Sequence, residues 1–318
     1  MERTTLVTGG AGFIGSHLVD RLVALGETVT IIDDLSSGKH ENLNPRADLV
    51  VADINDHIAL DDAIKGVTSV FHLAARVSVQ DCIQNWTDGT RSNLLGSISV
   101  FDAARRHGLP PVVYASSAAV YGDRSGEVCR EDNVPVPISP YGADKLGAEH
   151  HARAMFSIHE LSSVGLRFFN VYGPRQDPRS PYAGVISRFC ANRMADQPHT
   201  VFGDGGQTRD FIFVEDVVNG LLAARARAEV RPDASIFNLC TGRAHDLLEL
   251  TRKIDMVAGR GESPVHHAPA RSGDIRSSIG CPQNAERGLN FSAQTSLDAG
   301  LASLWRSLRN NLGCDIVC

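Results

Sequence analysis

The sequence has no CxxC pair and no hydrophobic run long enough to cross a membrane. Its seven cysteines stand singly, at positions 82, 129, 190, 240, 281, 314 and 318. This scatter argues against a disulfide framework or a zinc site, and predicts a reducing cytoplasm and no metal. The first residues enter a strand pattern at once, so we expect no leader peptide. With a net charge of −6, the chain also lacks the basic excess of a nucleic-acid-binding protein, although a local basic pocket for an anion stays open.

Short apolar runs rich in β-branched residues alternate with helix-like patterns through the first half of the chain. They lie at 4–9, 27–33, 47–53, 67–75, 110–117 and 162–169. This alternation predicts an α/β fold, a doubly wound parallel sheet with helices on both faces. Beyond Gly173 the pattern changes to loops rich in Pro, Arg and Gly. We therefore predict a first domain, mainly 1–172, and a smaller α/β lobe, mainly 173–318, with the segment at about 211–241 returning to the first domain.

Three glycines follow the first apolar run and precede a helical pattern. Gly9 allows a tight turn, Gly12 removes the Cβ that would block a pyrophosphate, and Gly15 lets the helix lie close to the sheet. Asp33 ends the next strand, where a carboxylate binds the adenosine ribose hydroxyls and repels a 2′-phosphate. This predicts NAD rather than NADP as the cofactor. A glycine-rich turn without a ligand is the alternative, and the order of strand, glycines, helix, strand and acid argues against it.

The segment SPYGADK, residues 139–145, marks the start of a helix. Ser139 is a good N-cap and Pro140 a good first helical residue, so Tyr141 and Lys145 project from one face. A free tyrosine has a pKa of about 10 and is a poor base at neutral pH. An adjacent ammonium and the positive nicotinamide of NAD⁺ are expected to lower the pKa of Tyr141. Taken alone, the pair also fits a surface tyrosine near a surface lysine.

Several short motifs occur in an order typical of one family. They are GxxGxxG at 9–15, ADI at 52–54, HLAA at 72–75, Asn93, SSAAVYG at 116–122 and SPYGADK at 139–145. Over about residues 4–280 the chain resembles the extended short-chain dehydrogenase/reductase family. The resemblance implies a Rossmann-like, NAD-binding first domain whose catalytic residues are Ser117, Tyr141 and Lys145. Two serines capping a strand end remain the alternative for the SS pair taken alone.

The same resemblance implies where NAD binds. Asp53 and Ile54 are expected to flank the adenine, residues 73–75 to line the dinucleotide, and Ser116 to touch the cofactor. The predicted NAD-binding residues are Gly9, Gly12, Phe13, Ile14, Gly15, Asp33, Asp34, Leu35, Ser36, Ser37, Gly38, Asp53, Ile54, Leu73, Ala74, Ala75, Asn93, Ser116, Tyr141, Lys145 and Phe168.

Two further segments, LRFFNVYGPRQ at 166–176 and GDGGQTRDFIFVEDVV at 203–218, narrow the resemblance to members that modify nucleotide sugars. The second lobe is then expected to bind the nucleotide sugar. The resemblance implies guanidinium groups of Arg209 and Arg271 on the diphosphate and a carboxylate of Asp274 on the ribose, chemistry that suits these groups. An ordinary surface ion pair is the alternative for Arg271 and Asp274. The predicted substrate-binding residues are Ser117, Tyr141, Asn170, Gly184, Val185, Phe189, Thr200, Phe202, Arg209, Arg271, Asp274 and Ser278.

The residues after Ser117 bear on the reaction. Dehydratases and decarboxylases of this group usually carry an acid there, whereas this chain has Ala118 and Ala119. Without an acid to protonate a leaving hydroxyl, reversible oxidation at C4 of the sugar remains. The chain resembles UDP-N-acetylglucosamine and UDP-glucose 4-epimerases. Ser278 stands where UDP-glucose-restricted relatives often have a tyrosine, and its small side chain leaves room for an N-acetyl group, so acetylated UDP-sugars are favoured and UDP-glucose and UDP-galactose also fit.

Three alternatives stay open. A UDP-glucuronate 4-epimerase can also have a small residue at 278, and would need a cation near C6, for which Arg76 and Arg175 are the candidates. A nucleotide-sugar 4-reductase would exchange its cofactor, whereas an epimerase tends to retain it. A non-enzymatic NAD sensor is disfavoured because such chains typically lose the serine or the tyrosine–lysine pair.

The partner predictions follow from the same resemblance. A UDP-sugar is the expected small-molecule partner, and neither nucleic acid nor a membrane is expected. A homodimer is implied, packed through the helix after Asn93 and the helix that carries Tyr141. Apolar residues such as Leu146, Ala148 and Met155 equally suit an internal core.

Overall fold

A seven-stranded parallel sheet forms the centre of the molecule in the computed structural model, which describes residues 3–124, 126–177, 184–270 and 275–314. The strand order, numbered along the chain, is β10-β6-β5-β4-β1-β2-β3. The six apolar runs of the first half all form strands of this sheet. The bounds are β1 Thr4–Thr8, β2 Thr28–Asp33, β3 Asp48–Val51, β4 Ser69–His72, β5 Val112–Ser117, β6 Ser163–Phe168 and β10 Ala234–Leu239.

Helices cover both faces of this sheet, which confirms the doubly wound α/β prediction. On one face, Leu18 and Leu22 of α1 and Leu221 of α8 pack in one fully buried cluster. On the other face, Leu60 of α2 and Phe101 of α5 pack in a second. Strands buried from both sides read as continuous apolar runs, which is why the sequence revealed them. The helices are α1 Phe13–Ala24, α2 His57–Ile64, α3 Val79–Gln84, α4 Trp86–Thr90, α5 Gly96–Arg106, α6 Pro140–His159 and α8 Val214–Val230.

The second lobe is built on two small sheets. One has the order β11-β9-β13, with β7 also pairing with β9, and the other pairs β8 with β12. Their strands are β7 Asn170–Tyr172, β8 His199–Phe202, β9 Thr208–Phe213, β11 Ala244–Asp246, β12 Val265–Ala268 and β13 Ser277–Ser278. The helices are α7 Val185–Met194, α9 Leu247–Ala258, α10 Gln283–Leu289 and α11 Leu297–Cys314.

The chain crosses between the two parts more than once. After β9 in the small sheet it forms α8 against the main sheet, and β10 then pairs in parallel with β6. Conversely, β7 follows the main sheet directly and pairs with β9 of the small one. The division at residue 172 therefore stays a proposal about domains. None of the helices within the described ranges is long and apolar enough to span a bilayer.

The parallel arrangement decides where a ligand can bind. Because all strands of the main sheet run the same way, their carboxyl ends meet at one edge, and ligands of open α/β sheets bind in the crevice there. Thr8, Asp33, His72, Ser117 and Phe168 end β1, β2, β4, β5 and β6 at that edge.

Candidate active site

The glycine turn after β1 closes against backbone on two sides. Gly9 has φ +72°, and a Cβ there would lie 2.7 Å from the amide nitrogen of Ala74. A Cβ on Gly15 would lie 2.1 Å from the carbonyl oxygen of Gly9. Gly12 is the N-cap of α1 and offers no side chain to its first N–H groups. Free N–H groups and bare glycines at a helix N-terminus suit a pyrophosphate, so this turn fits NAD.

Asp33 is held for recognition of a ribose. One carboxylate oxygen accepts a 2.9 Å hydrogen bond from the amide of Ala11 and the other a 2.9 Å bond from the amide of Leu35. Burial raises the pKa of Asp33, and the two amides act against that rise. A Cβ on Gly38 would lie 2.7 Å from the carboxylate, so the loop after β2 closes tightly over it. A fixed, amide-bonded carboxylate at this strand end suits the ribose diol of NAD.

The loop after β4 is braced from behind by polar side chains. Thr8 accepts bonds of 3.2 Å from the amides of both Leu73 and Ala74, and its hydroxyl lies 2.8 Å from Nδ1 of His72. Burial lowers the pKa of His72 to about 3, so this imidazole is neutral. Asn93 is fully buried and bonds the backbone of Arg76 through both amide atoms. Asn93 therefore holds the predicted NAD loop in place in this structure.

The tyrosine, lysine and serine of the predicted catalytic group meet at the carboxyl end of β5. The Ser139 hydroxyl caps α6 by accepting a 3.1 Å bond from the amide of Gly142, as predicted. The Ser117 side chain is close enough to the Tyr141 phenol to act on its pKa. Lys145 is 2% exposed, and its Nζ donates a 2.9 Å bond to the carbonyl of Ala115 and lies 5.8 Å from the ring centroid of Tyr141. This is the geometry of a phenol flanked by a hydroxyl and an ammonium.

The protein alone does not lower the pKa of Tyr141, so the predicted lowering depends on the positive nicotinamide of bound NAD⁺. Burial raises it to about 12, and the hydrogen bond with Ser117 acts against that rise. Burial also lowers the pKa of Lys145 to about 8, which the nearby Asp144 carboxyl opposes. Desolvation disfavours the charged form of both groups, so it dominates until further positive charge faces the phenol.

The remaining NAD-binding predictions divide into two groups. Most lie at the carboxyl edge of the main sheet. Phe13 and Ile14 begin α1, residues 34–37 follow β2, Ala75 follows β4, and Phe168 ends β6. Asp53 is exposed beyond β3, and Ile54 next to it is buried. Ser116 is different, because its buried hydroxyl donates to the carboxylate of Glu149 instead of facing the crevice.

Most of the substrate-binding predictions lie in the small sheets and their neighbours. Asn170 is exposed at the start of β7, Gly184 and Val185 begin α7, and Thr200 and Phe202 lie on β8. In the small sheet Ser278 of β13 pairs with Arg209 of β9. Phe189 is buried against the ring of His199 at 4.9 Å, so a contact with a nucleotide would require its surroundings to move. Arg271 and Asp274 lie outside the described residues.

Two buried residues behind the catalytic group were missed by the sequence analysis. Glu149 lies four residues after Lys145, and Arg167 lies on β6; the two form a buried ion pair at 2.7 Å. The signals were present: a third polar residue at helical spacing after Tyr141 and Lys145, and a single charge inside the apolar run 162–169.

A glycine turn at a parallel sheet edge, an amide-held aspartate and a serine–tyrosine–lysine group together define a dinucleotide-dependent short-chain oxidoreductase type of enzyme. The model of the NAD dependent epimerase/dehydratase family matches residues 5–240, and the chain belongs to that family. Its cofactor is NAD, and the chain is an NAD-dependent epimerase.

Named relatives match over nearly the whole chain. A UDP-glucose 4-epimerase of Mycolicibacterium smegmatis is 37% identical over 96% of this chain and 98% of its own. A UDP-glucose 4-epimerase of Thermotoga maritima, solved with UDP-glucose, has a TM-score of 0.92 and 34% identity over 97% of this chain and 99% of its own. A UDP-N-acetylglucosamine 4-epimerase of Methanobrevibacter ruminantium, in complex with UDP-N-acetylmuramic acid, has a TM-score of 0.92 and 32% identity over 98% and 99%.

Gly15→Ala should abolish NAD binding. Its methyl group would collide with the carbonyl of Gly9 and force the pyrophosphate turn open. The NAD content of purified protein, measured by chromatography after denaturation, should fall at least about tenfold. Gly261→Ala is the control, because a Cβ there meets nothing within 4 Å. Equal NAD content in the two variants would contradict the role given to the turn.

Lys145→Met should move the rising limb of the pH–rate profile to higher pH. The ammonium favours the Tyr141 phenolate, so removing it makes the phenol harder to ionise. The loss of kcat should be largest at neutral pH and smaller in alkaline buffer, when kcat is measured across the pH range. A profile of unchanged shape, lowered by the same factor at every pH, would show that Lys145 does not act on the ionisation of Tyr141.

Proposed function

We propose that the chain catalyses reversible C4 epimerisation of a UDP-sugar, with UDP-N-acetylglucosamine and UDP-N-acetylgalactosamine favoured over UDP-glucose and UDP-galactose. The observation that carries the proposal is the contact of Tyr141 with Ser117 beside the buried Lys145, at the edge where the glycine turn receives NAD. One related sequence and two related solved structures, all named as 4-epimerases, support the same reaction.

Tyr141 and Ser117 have different roles in the proton transfer. When bound, NAD⁺ supplies the hydride acceptor at C4, and its reduced form is the donor for the return. Tyr141, as phenolate, takes the proton of the 4-hydroxyl, while Ser117 bonds the same oxygen and keeps it in line. The resulting 4-ketose would rotate in the site to present its other face before the hydride is returned. Tyr141 then returns the proton, so the C4 epimer leaves and no cofactor is consumed.

The residues directly after Ser117 supply no acid for an elimination reaction. Ala118 and Ala119 begin a short 3-10 turn directly after Ser117, and the amide of Ala119 donates a 3.2 Å bond to the Ser117 hydroxyl. The position next to the catalytic serine is thus occupied by backbone and methyl groups. A dehydratase needs a group there that protonates a leaving hydroxyl. Within a family that includes both reactions, this favours epimerisation.

The choice of an acetylated sugar rests on Ser278. Ser278 is the register partner of Arg209 in the small sheet, and we assign the guanidinium of Arg209 to the diphosphate. A tyrosine at 278 would add a phenol ring beside the sugar, whereas the serine leaves that volume open. The open volume suits the N-acetyl group on C2.

The environments of two arginines disfavour a uronate. Arg76 lies 3.4 Å from the carboxylate of Asp81, and Arg175 lies 2.7 Å from that of Asp20. Both candidate cations for a C6 carboxylate are therefore already paired with carboxylates of the first domain. A sugar with an uncharged C6 hydroxyl fits these surroundings better than UDP-glucuronate.

A direct assay tests the proposal. Purified protein, without added cofactor, is incubated with UDP-N-acetylglucosamine, UDP-glucose and UDP-glucuronate in parallel, and the C4 epimers are followed by NMR. We expect turnover of the acetylated sugar, at least about a hundredfold lower in Tyr141→Phe because the base is lost. Ser278→Tyr should lower it at least about tenfold while UDP-glucose is kept, and Ser278→Ala is the control.

Other outcomes of this assay discriminate between the alternatives. Turnover of UDP-glucose alone would keep the mechanism and reject the Ser278 argument. Turnover of UDP-glucuronate would reject the argument from Arg76 and Arg175. Reduction of a 4-keto sugar at the expense of added NADH, without epimerisation, would make the enzyme a reductase. Tight binding of NAD, with no reaction on any of these sugars, would favour an NAD sensor.

We further propose that the protein is a homodimer, packed through α6 and the helical stretch that follows Asn93. Ala148 is buried, and Leu146 and Met155 pack against the protein's own clusters, so these three belong to the internal core. Other apolar side chains of this region stay exposed, and a second copy of the chain would cover them. They are Val77, Ile83, Trp86, Leu95 and Ile158.

Leu95→Glu should convert the dimer into a monomer. Leu95 is 48% exposed, and burying an unpaired carboxylate in a symmetric interface costs more than the contact supplies. Light scattering after gel filtration should give the chain mass of 34.2 kDa for this variant and twice that mass for the wild type. Met256→Glu, at an exposed position on α9, is the control. A monomeric wild type would reject the dimer.

A further inference from the structure

Helix α6 contacts β5 through three successive turns. Tyr141, Lys145 and Glu149 are spaced by four residues and lie on one face of the helix. Each contacts one of three consecutive residues of the strand. The Tyr141 phenol lies beside the Ser117 side chain, which acts on its pKa, Lys145 donates to the carbonyl of Ala115 at 2.9 Å, and Glu149 accepts from the hydroxyl of Ser116 at 2.5 Å. The first two contacts belong to the catalytic group, whereas the third lies deeper and faces no ligand.

The contact of Glu149 with Ser116 is held in place by a residue of the neighbouring strand, β6. Arg167 is the register partner of Ser116 on β6, and it binds both carboxylate oxygens of Glu149, at 2.9 and 2.7 Å. The two charged side chains are 4% and 3% exposed. The guanidinium also lies 4.7 Å from the ring centroid of Tyr121, in the turn that follows Ser117. One ion pair thus connects α6, β5, β6 and the turn after the catalytic serine.

A buried ion pair is a poor source of stability, because desolvating two charges offsets much of their attraction. A two-pronged guanidinium–carboxylate contact does, however, define both distance and angle. A slide or rotation of α6 along β5 would break it and leave buried charges without a partner. The pair therefore resists the movement that would separate Tyr141 from Ser117.

We propose that Glu149, held by Arg167 and bonded to Ser116, is a positioning residue that sets the height of α6 on β5 and so the contact of Tyr141 with Ser117. The proposal rests on the proposed function, because Tyr141 acts there as the proton carrier. Tyr141 must hold this position in both halves of the reaction, when it takes the proton and when it returns it. Glu149 and Arg167 themselves touch neither sugar nor cofactor.

The chain contains a matched pair that does not touch α6. Arg225 binds both oxygens of Glu27 at 2.8 Å, and the two side chains are 7% and 6% exposed. Glu27 also accepts a 2.7 Å bond from the hydroxyl of Thr5, and the guanidinium lies 5.5 Å from the ring centroid of Phe71. The Glu27–Arg225 pair therefore has the same four groups as the Glu149–Arg167 pair, namely a carboxylate, a guanidinium, a hydroxyl and an aromatic ring. Its burial is similar, and it lies far from the catalytic serine. This pair separates a general structural role from a positioning role.

The experiment compares Glu149→Leu/Arg167→Met with Glu27→Leu/Arg225→Met. Both double variants replace a buried ion pair by apolar side chains, and we expect similar changes in Tm. The first should lower kcat by about ten- to a hundredfold, as misplacement of a reacting group does, with KM within about threefold. The second should leave kcat within about twofold. An equal effect on kcat in the two variants, or none in either, would reject the proposal.

Ser116→Ala covers the case in which the first double variant does not fold. It removes the strand side of the third contact and leaves the ion pair in place. We expect kcat about three- to tenfold lower, with NAD content unchanged. Wild-type kcat in the Ser116→Ala variant would contradict the proposal even if the double variant cannot be purified.

A second readout separates this proposal from the proposed function. The ultraviolet absorbance of the phenolate, with Tyr141→Phe subtracted, reports the pKa of Tyr141 in the NAD-bound protein without any sugar. Its bond to Ser117 lowers that pKa, so a displaced α6 should raise it in Ser116→Ala and Glu149→Leu/Arg167→Met but not in the control pair. An unchanged pKa would reject the positioning role, whichever sugar the wild type uses. An inactive wild type with the predicted pKa shifts would reject the epimerase proposal alone.

Discussion

Parallel pairing of the seven central strands is the constraint on which the site depends. It places the carboxyl ends of β1, β2, β4, β5 and β6 at one edge, so residues far apart in sequence share one crevice. The glycine turn, Asp33 and Ser117 each follow or end a different strand there. Helices on both faces bury the central strands of the sheet.

The catalytic helix brings polar groups into an interior that disfavours their charged forms. Burial raises the pKa of Tyr141 to about 12 and lowers that of Lys145 to about 8. At neutral pH the phenol of Tyr141 is thus uncharged while Lys145 stays mostly protonated, and the phenol depends on further positive charge to become reactive. The same burial makes the bond of Lys145 to Ala115 and the ion pair of Glu149 specific in geometry. The low dielectric of the buried site strengthens such contacts. It also raises the free-energy penalty of any polar group that loses its partner.

Local signals in the sequence were sufficient where one short segment carries the whole physical cause. The apolar runs predicted the strands, the glycine spacing predicted the turn, and Ser139–Pro140 predicted the start of α6. Contacts between distant segments were not predictable in this way. The pairing of Arg167 with Glu149 and the engagement of Ser116 by that pair depend on the register of β5 with β6. Phe189 was assigned to the nucleotide, yet it packs in a core formed by segments from both sides of it in the chain.

By itself, the sequence determined the α/β class, the NAD turn, the acid at position 33 and the identity of the serine, tyrosine and lysine. These follow from residue type and spacing, which act over a few residues. The tertiary structure decided which polar groups are buried and what each of them contacts. It raised the pKa of Tyr141 in the protein without cofactor, paired Arg76 and Arg175 with carboxylates, and turned Ser116 from the crevice towards Glu149. Desolvation and ion pairing depend on every neighbour in space, so the order of residues alone does not specify them.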